Sequence, residues 1–376
     1  IPFAIKDNID VAGLPTTADC PAFAYEPEKN AFVVQKLIDA GAIPLGKANL
    51  DQFATGLNGT RSPYGVAKNS INADYISGGS SSGSALAVAL GLASFSLGTD
   101  TAGSGRVPAA FNALVGVKPS CGLLSTSGVV PACRTLDCVS IFTLTPNDAE
   151  VVLNVAAGFD HSDSYCQHFE HTTQKAINII GVPRADQLKF FGDHDYAALF
   201  EQATLAAQAK NFQVIEIDFQ PFIDAANLLY AGPWVAERYQ VIAELLASKP
   251  EEVLPVIRHI VEPAQSISAA QTFQAFYQLA EYKRQCDAIL ASVDAILTPT
   301  AGTIYTVGQM QANPLALNSN LGYYTNFMNL LDYSALAIPA GQRADGLPFG
   351  VTFFAQAGRD WDLLEVAKRW SSNRVC

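Results

Sequence analysis

The sequence predicts an α/β layered fold in one domain. Short apolar runs alternate with helical patterns along most of the chain, which is typical of a sheet whose strands are covered by helices. The chain has 376 residues, of which 49% are hydrophobic, so it can bury a large core. Because we find neither an internal repeat nor a strong linker in the sequence, we interpret residues 1–376 as a single domain.

In the first half of the chain, apolar periodicity and helix-ending glycines predict the elements. Three helices are predicted, at Phe32–Ala40, Ser84–Leu92 and Ala149–Ala157. Two strands are predicted, at Ala42–Leu45 and Ala93–Leu97. Asn147 is the predicted N-cap of the third helix. Ile1 has the pattern of a residue inside a strand, so we expect an N-terminal segment to be missing from this chain.

The second half returns to strands after a polar connection. Residues 159–175 are polar and are predicted to form a surface connection. Five apolar runs then predict strands at Ile177–Val182, Val214–Ile217, Ala295–Thr298, Ala335–Ile338 and Gly350–Phe354. A helix is predicted over Tyr196–Lys210, and helical patterns dominate from Phe222 to Leu290.

Charge and cysteine usage exclude several classes of protein. A net charge of −12 without a dense basic run disfavours nucleic acid or an anionic membrane as a partner. Apolar runs are interrupted before they reach the length needed to span a bilayer. The seven cysteines are odd in number and form no CxxC pair, which favours reduced thiols in a cytoplasmic protein.

Three other site types fit the sequence poorly. GAIPLGKA at 41–48 resembles a phosphate-binding loop, but Ala48 lacks the metal-binding hydroxyl and Pro44 lacks a backbone N–H. A Ser-His-Asp triad is disfavoured, because the sequence offers only unremarkable polar or helical surroundings for His194 and His259. A metal site is disfavoured because the loop histidines have no cysteine or carboxylate at ligand spacing; these are His161, His168 and His171.

A lysine and two serines point to acyl transfer instead. Lys6 follows the apolar run IPFAI, and a lysine that enters a core must be paired or lose its charge, so it can serve as a base. Ser80 follows two glycines and can relay a proton from Ser104 to Lys6. The N–H groups that precede Ser104 can stabilise an oxyanion; they belong to Thr101, Ala102 and Gly103. The bland alternative is that GGSSSG is only a flexible turn.

Four motifs resemble, in order and spacing, the amidase signature family of Ser-cisSer-Lys hydrolases. They are KDNIDVAG at 6–13, GKANLDQFATG at 46–56, GGSSSGSA at 78–85 and GTDTAGSGRVPAA at 98–110. The resemblance implies a central mixed sheet covered by helices on both faces. It also implies that Ser104 is the nucleophile, Ser80 a bridging serine with a cis peptide, and Lys6 the base. This sequence has Ser82-Gly83 where many relatives have two glycines, and Ala102 where many have one glycine. Neither difference removes a catalytic group.

Within the family, four further segments resemble allophanate hydrolases. They are LDQFATGLNGTRSPYG at 50–65, RTLDC at 134–138, LLYAGPWVAERY at 228–239 and NSNLGYYTNFMNL at 318–330. The resemblance implies hydrolysis of the terminal amide of allophanate, with release of ammonia in urea breakdown and without metal or cofactor. It also implies that Arg238 binds the substrate carboxylate.

The residues around Arg238 suggest further ligands and one alternative. Tyr230 lies two helical turns earlier, on roughly the same predicted face. Gly56 and Arg134 are additional candidate substrate ligands. The alternative is that Arg238 pairs with Glu237 or another carboxylate. Arg106 is expected to brace the nucleophile turn through Asp100.

The resemblance also carries expectations about partners. A urea carboxylase, fused or separate, is the expected functional partner, and a homodimer is expected. Allophanate hydrolases have an additional C-terminal domain, which we expect to be absent from this chain. Two rival functions are the glutaminase subunit of a glutamyl-tRNA amidotransferase and a non-catalytic binding protein. Intact Lys6, Ser80 and Ser104 disfavour the second rival.

Overall fold

The computed structural model of the protein describes residues 1–169 and 175–372. In this part of the chain, ten strands form one mixed sheet. The strands are β1 (Pro2–Lys6), β2 (Ile43–Ala48), β3 (Phe95–Asp100), β4 (Val115–Lys118), β5 (Cys138–Thr143), β6 (Ile179–Pro183), β7 (Gln213–Ile217), β8 (Ala295–Pro299), β9 (Tyr333–Gln342) and β10 (Pro348–Gln356). Their order across the sheet is β2-β1-β3-β5-β4-β9-β10-β8-β6-β7.

The two ends of the sheet are parallel and its centre is antiparallel. β1 pairs in parallel with β2 and β3 at one end, and β6 pairs in parallel with β7 and β8 at the other. The central pairs, from β3–β5 through to β10–β8, are antiparallel. The carboxyl ends of β1 and β3 therefore lie at the same edge of the sheet.

Thirteen α-helices are found among the described residues. They are α1 (Phe32–Asp39), α2 (Ser82–Ala89), α3 (Val107–Phe111), α4 (Pro146–Ala156), α5 (His194–Ala209), α6 (Gln220–Ala231), α7 (Trp234–Ser248), α8 (Pro255–Val261), α9 (Ala269–Leu290), α10 (Val307–Ala312), α11 (Ala316–Leu321), α12 (Phe327–Leu330) and α13 (Asp360–Ser371). None of the helices so described is both long and apolar enough to cross a membrane.

Helices cover both faces of the sheet. Side chains alternate between the two faces of a sheet along each strand, so consecutive residues of β9 pack against the elements on opposite faces. Leu336 and Ile338 belong to the large core cluster that includes residues of α4 and α13. Ala337, between them, packs instead with Ala85 and Val88 of α2. The prediction of a mixed sheet covered on both faces is confirmed.

Every predicted strand is present, but one predicted helix cap was wrong. Thr145, and not Asn147, caps α4, because its side chain accepts a hydrogen bond from the Asp148 N–H group and Pro146 occupies the first turn. Asn147 lies inside the helix. Part of the predicted surface connection, residues 170–174 with His171, lies outside the described residues.

Candidate active site

Lys6 lies at the end of β1 and its side chain is fully buried. The parallel register that places Ile5 beside Leu97 brings Lys6 close to the end of β3. The Lys6 Nζ atom donates hydrogen bonds to Ser80 Oγ at 2.8 Å and to Thr99 Oγ1 at 2.7 Å. Both acceptors are neutral hydroxyls. Among the described residues, Lys6 has no carboxylate within 4.0 Å.

Burial lowers the pKa of Lys6 from its usual value to about 7. The carboxylates of Asp51, Asp137 and Asp100 act in the opposite direction, since negative charge favours the ammonium form. Near neutral pH the amine therefore exists in both charged and neutral forms. A neutral amine in contact with a hydroxyl is able to accept its proton.

Ser80 is held by a network of serines between α2 and β3. The peptide bond between Gly79 and Ser80 is cis, as the family resemblance implies. Ser81 Oγ donates to the Thr99 carbonyl at 3.0 Å, and Ser84 Oγ donates to the Leu97 carbonyl at 2.9 Å. These bonds fix the start of α2 against the strand that carries Thr99. Most of the clustered serines thus position the backbone, whereas Ser80 faces Lys6.

Gly98 permits the close approach of α2 to β3. A Cβ atom at this position would lie 2.7 Å from Ser81 Oγ and 2.7 Å from the Phe142 ring. Such distances are too short for a carbon side chain. A larger residue here would displace Ser81, and with it the start of the helix that follows Ser80.

A buried ion pair organises the turn that carries Ser104. Arg106 donates from Nε and Nη2 to the two carboxylate oxygens of Asp100, at 2.9 and 3.0 Å. The same carboxylate accepts the N–H groups of Gly103 at 2.8 Å and Gly105 at 3.0 Å. Asp100 and Arg106 are fully buried. The expectation that Arg106 braces this turn through Asp100 is confirmed.

The turn changes the expected set of oxyanion donors. The Gly103 N–H group donates to Asp100, so its use toward an oxyanion would need this hydrogen bond to be shared or broken, and its role stays a prediction. Within residues 1–169 and 175–372, the N–H groups of Thr101 and Ala102 donate to no protein acceptor. The Thr101 side chain donates to the buried Asp137 carboxylate, which also accepts the N–H group of Ala132.

Ser104 is buried, and its Oγ atom contacts the Gly56 carbonyl oxygen at 3.5 Å. In the described part of the chain it makes no hydrogen bond to Ser80. A direct proton transfer between Ser104 and Ser80 would therefore require the two hydroxyls to come closer than they are in this structure. Hydrogen bonds of this kind are often long before substrate binds.

Asp51 holds two loops of the candidate site, one beside Ser104 and one that carries Ser80. Its carboxylate accepts the N–H groups of Asn58, Gly59 and Arg61 at 3.0 to 3.1 Å. Its own N–H group donates to the Ser80 carbonyl at 3.0 Å. Asp51 thus holds the loop after Gly56 through its carboxylate and the loop that carries Ser80 through its backbone.

Arg238 is buried in α7 and faces the same loop. Its Nη1 atom donates to Thr55 Oγ1 at 3.0 Å and to the Ala54 carbonyl at 3.3 Å. Its guanidinium lies 5.5 Å from the centre of the Tyr230 ring. No carboxylate lies within 4.0 Å of it among the described residues. The alternative pairing with Glu237 was wrong, since Glu237 accepts from the Thr135 N–H group.

Tyr230 and Arg238 do not share a helix face. The sequence predicted one continuous helix, but α6 ends at Ala231 and α7 begins at Trp234. Gly232 and Pro233 separate the two helices, since proline removes a hydrogen-bond donor and restricts the preceding residue. The two side chains meet because the chain bends between them.

Arg134 is exposed and lines a cleft of about 910 Å³ together with Tyr25, Ser127 and Glu237. It makes no hydrogen bond or ion pair within the described residues. Arg134 and Arg238 share no contact in this structure, so each is a separate candidate to bind the substrate carboxylate.

Several positioning groups escaped the sequence analysis. Thr99 and Asn8 belong to motifs that it quoted, and Asn8 donates to Thr99 Oγ1 at 3.4 Å. Asn329 lies far along the chain and donates to the Asp100 carbonyl at 2.8 Å. The position of Thr99 two residues after Leu97 in the strand was a usable signal. Asn329 lies in the quoted segment 318–330, but nothing local there distinguishes it from the neighbouring asparagines.

Comparisons with known proteins agree on one family. A sequence model described as amidase matches residues 1–364. The urea amidolyase of Saccharomyces cerevisiae is 46% identical over 99% of this chain, which spans only 20% of that protein. The solved structure of Kluyveromyces lactis allophanate hydrolase is 42% identical, with a TM-score of 0.95, over 99% of this chain and 61% of that one.

A more distant relative carries the name of another activity. A glutamyl-tRNA(Gln) amidotransferase component from Treponema pallidum is 32% identical over 98% of this chain and 81% of its own length. Similarity thus extends to proteins with two different names for their activity.

Proposed function

Because the chain belongs to the amidase signature family, we propose that it hydrolyses the terminal amide of allophanate and releases ammonia. The similarity to urea amidolyase and allophanate hydrolase supports this substrate over glutamine. The buried Arg238 without a carboxylate partner carries the proposal, because it offers a charged donor to the loop whose Gly56 carbonyl contacts Ser104.

In the proposed reaction, Ser104 Oγ attacks the terminal amide carbon of the substrate. Its proton passes to Ser80, whose own proton passes to the neutral Lys6 amine. The tetrahedral intermediate collapses with cleavage of the C–N bond, and the nitrogen leaves as ammonia with a proton returned from Lys6 through Ser80. Water then attacks the acyl-enzyme by the same route, which restores Ser104 and releases the carboxylate product.

The contact between Lys6 Nζ and Ser80 Oγ supports the return step, in which Lys6 donates to Ser80. A hydroxyl oxygen that accepts from lysine still has its own proton to donate, so Ser80 can pass that proton to the leaving nitrogen. In the forward step the same contact is used in the other sense, because the neutral amine accepts the Ser80 proton while Ser80 accepts that of Ser104.

We assign the stabilisation of the oxyanion to the N–H groups of Thr101 and Ala102. Both lie immediately before Gly103 in the turn and both lack a protein acceptor in the described residues. Loss of one such donor from an oxyanion site typically costs about 100-fold or more in rate.

We assign the substrate carboxylate to Arg238, with the Tyr230 ring against the guanidinium. One nitrogen of Arg238 donates to Ala54 and Thr55, which are the two residues directly before Gly56. Its remaining N–H groups can form a forked pair with a carboxylate. Gly56, whose carbonyl contacts Ser104, remains a candidate ligand on the opposite side of the reacting amide.

The function is tested by ammonia release from allophanate, urea, malonamate and glutamine, measured side by side. We expect allophanate to have the highest kcat/KM. Malonamate, which keeps a carboxylate and a terminal amide, is expected to be a weaker substrate. Preference for glutamine would instead assign the chain to the amidotransferase type, and no turnover of any amide would favour a binding protein.

We further propose that this chain acts beside a urea carboxylase, fused or separate, in the cytoplasm and as a homodimer. The small share of urea amidolyase that it spans supports a place within a larger assembly. Sedimentation of the purified chain tests the dimer, and co-purification with a urea carboxylase from the source cells tests the assembly.

A further inference from the structure

A second buried cluster of ionisable groups lies behind the nucleophile turn. Lys118 ends β4 and Cys138 begins β5, and Cys121 follows β4 after two residues. The two sulfur atoms are 3.6 Å apart, which is van der Waals contact. Cys138 is buried and Cys121 is partly exposed. None of the three side chains has a part in the proposed hydrolysis.

Lys118 lies beside sulfur, with carboxylates farther away. Its fully buried Nζ atom donates to the Pro119 carbonyl at 2.7 Å and lies 3.5 Å from Cys138 Sγ. In the described part of the chain no carboxylate lies within 4.0 Å of it. Burial alone would lower the pKa of Lys118, but the negative charge that the two cysteines can carry, together with that of Asp100 and Asp332, outweighs this effect and raises it.

The two thiols differ in character as a result. The hydrogen bond from Cys138, together with the Lys118 charge, lowers the pKa of Cys121. The pKa of Cys138 is raised by its hydrogen bond to Cys121 and by burial. Cys121 is thus the better nucleophile of the two, and Cys138 keeps its proton.

The pair is also connected to the nucleophile turn. Cys138 is the cross-strand partner of Asp100, whose carboxylate holds Gly103, Gly105 and Arg106. Asn329 lies 3.7 Å from Cys138 Sγ and donates to the carbonyls of Asp100 and Leu136, both at 2.8 Å. Movement of Cys138 therefore disturbs groups that fix Asp100.

We propose that Cys121 and Cys138 form a reversible disulfide when a hydroperoxide such as hydrogen peroxide reaches the pair. The Cys121 thiolate attacks one peroxide oxygen, so the O–O bond breaks, and Cys121 becomes a sulfenic acid while hydroxide leaves and is protonated to water. The Cys138 sulfur then attacks the sulfenic sulfur, loses its proton and displaces a second water. Two thiols are oxidised and one peroxide is reduced.

A disulfide cannot carry the negative charge that a Cys121 thiolate brings near Lys118. The buried ammonium then keeps the Pro119 carbonyl as its acceptor, with only the more distant Asp100 and Asp332 as counter-charges, which is less favourable. The strain falls on β4, β5 and Asn329, beside Asp100. We therefore expect the oxidised protein to turn over its substrate more slowly, by about fivefold or more.

Mass spectrometry tests the modification without reference to activity. Trypsin cleaves after Arg134, so Cys121 and Cys138 fall on different peptides, which remain joined only through a disulfide. The folded chain is treated with a small excess of hydrogen peroxide, blocked with iodoacetamide and digested without reductant. We expect a joined peptide that dithiothreitol separates.

Matched variants identify the sulfurs. Cys121→Ser and Cys138→Ser should each abolish the joined peptide, whereas Cys166→Ser and Cys286→Ser should keep it. Failure to form the link in the wild-type chain, or oxidation of Cys121 to sulfinic acid alone, would overturn the proposal. Survival of the link in Cys138→Ser would assign a different partner and overturn it equally.

Activity measurements then test the connection to the nucleophile turn, which rests on the proposed function. Peroxide should lower the rate of ammonia release in the wild type, and dithiothreitol should restore it, while Cys121→Ser should be insensitive. If the disulfide forms but the rate is unchanged, the proposed effect on the nucleophile turn is overturned, while the proposed disulfide itself stands. Absence of activity in the untreated protein would count against the proposed function alone.

Discussion

Lys6 and Ser80 are 74 positions apart in the sequence, yet the Lys6 Nζ atom donates to Ser80 Oγ at 2.8 Å inside the core. The contact depends on β1, which delivers the lysine, and on the serine network that fixes the start of α2. It pairs a base whose charge is costly to bury with a hydroxyl that can relay a proton. The following predictions test what this pair and its surroundings do.

Ser104→Ala should abolish ammonia release while the protein remains folded. The substitution removes the attacking oxygen and leaves only a small gap in the turn. We expect a loss on the order of a millionfold in kcat, as for other nucleophiles that act within a catalytic unit. Circular dichroism checks the fold, and activity near that of the wild type would exclude Ser104 as the nucleophile.

Lys6→Arg should be nearly inactive, because guanidinium does not give up its proton at neutral pH. In the proposed mechanism the neutral amine is the active form, and burial lowers the pKa of Lys6 to about 7. The rate should therefore rise with pH through this value and fall tenfold for each pH unit below it. A flat profile between about pH 5 and 9 would require another base.

Arg238→Ala should discriminate between charged and neutral substrates. It removes the proposed partner of the substrate carboxylate, so kcat/KM for allophanate should fall by about 100-fold or more. Biuret has no carboxylate and should lose much less. Both substrates are measured on both proteins, and equal losses would show that Arg238 positions the loop at Ala54 and Thr55 instead.

Exposed Arg134 provides the comparison for this experiment. Arg134→Ala changes an arginine that makes no hydrogen bond within residues 1–169 and 175–372. We expect it to change kcat/KM for allophanate by less than about threefold, in line with most surface substitutions. A large loss of kcat/KM for allophanate but not for biuret in Arg134→Ala would show that Arg134 binds the substrate carboxylate.

Asp100→Asn should destabilise the protein strongly. The substitution leaves the buried Arg106 guanidinium without its counterion, which typically costs about 3–5 kcal/mol in the free energy of unfolding. Urea denaturation measures the change. A loss below about 1 kcal/mol would mean that the pair contributes little beyond its backbone contacts.

The pH dependence of stability gives a second measure of the same pair. Burial alone would raise the pKa of Asp100, but the neighbouring Arg106 outweighs this and lowers it in the folded state. The resulting stabilisation is present above the unfolded carboxyl pKa, near 4, and is lost as pH falls through the folded value. Wild type should lose Tm on acidification more steeply than Asp100→Asn.

The sequence predicted most strands of the sheet, because apolar runs identify strands that are buried on both faces. It did not predict β4 and β5. β4 has only four residues, and β5 is a short apolar run without an adjoining helix-ending signal. Antiparallel pairing of such segments depends on distant partners, which no local pattern reports.

The sequence predicted a contact within the candidate site where a local anomaly was visible. Lys6 at the end of an apolar run and Ser80 after two glycines are such anomalies, and the two side chains do meet. The hydrogen bond from the Gly103 N–H group to Asp100 was not predicted, because sequence does not tell which N–H groups this carboxylate accepts. The shared face of Tyr230 and Arg238 was wrong because helical spacing was extended across Gly232 and Pro233.

The adjacent parallel strands β1 and β3 have a consequence for how new specificities arise. Lys6 and the turn with Ser104 come from the first 106 residues, whereas Tyr230 and Arg238 lie on the helices that meet at Gly232 and Pro233. Under the proposed assignment of the substrate carboxylate to Arg238, mutations in the second region change which amides are accepted while the first is left intact. A duplicated gene could therefore diverge toward another substrate and remain a working hydrolase at each step.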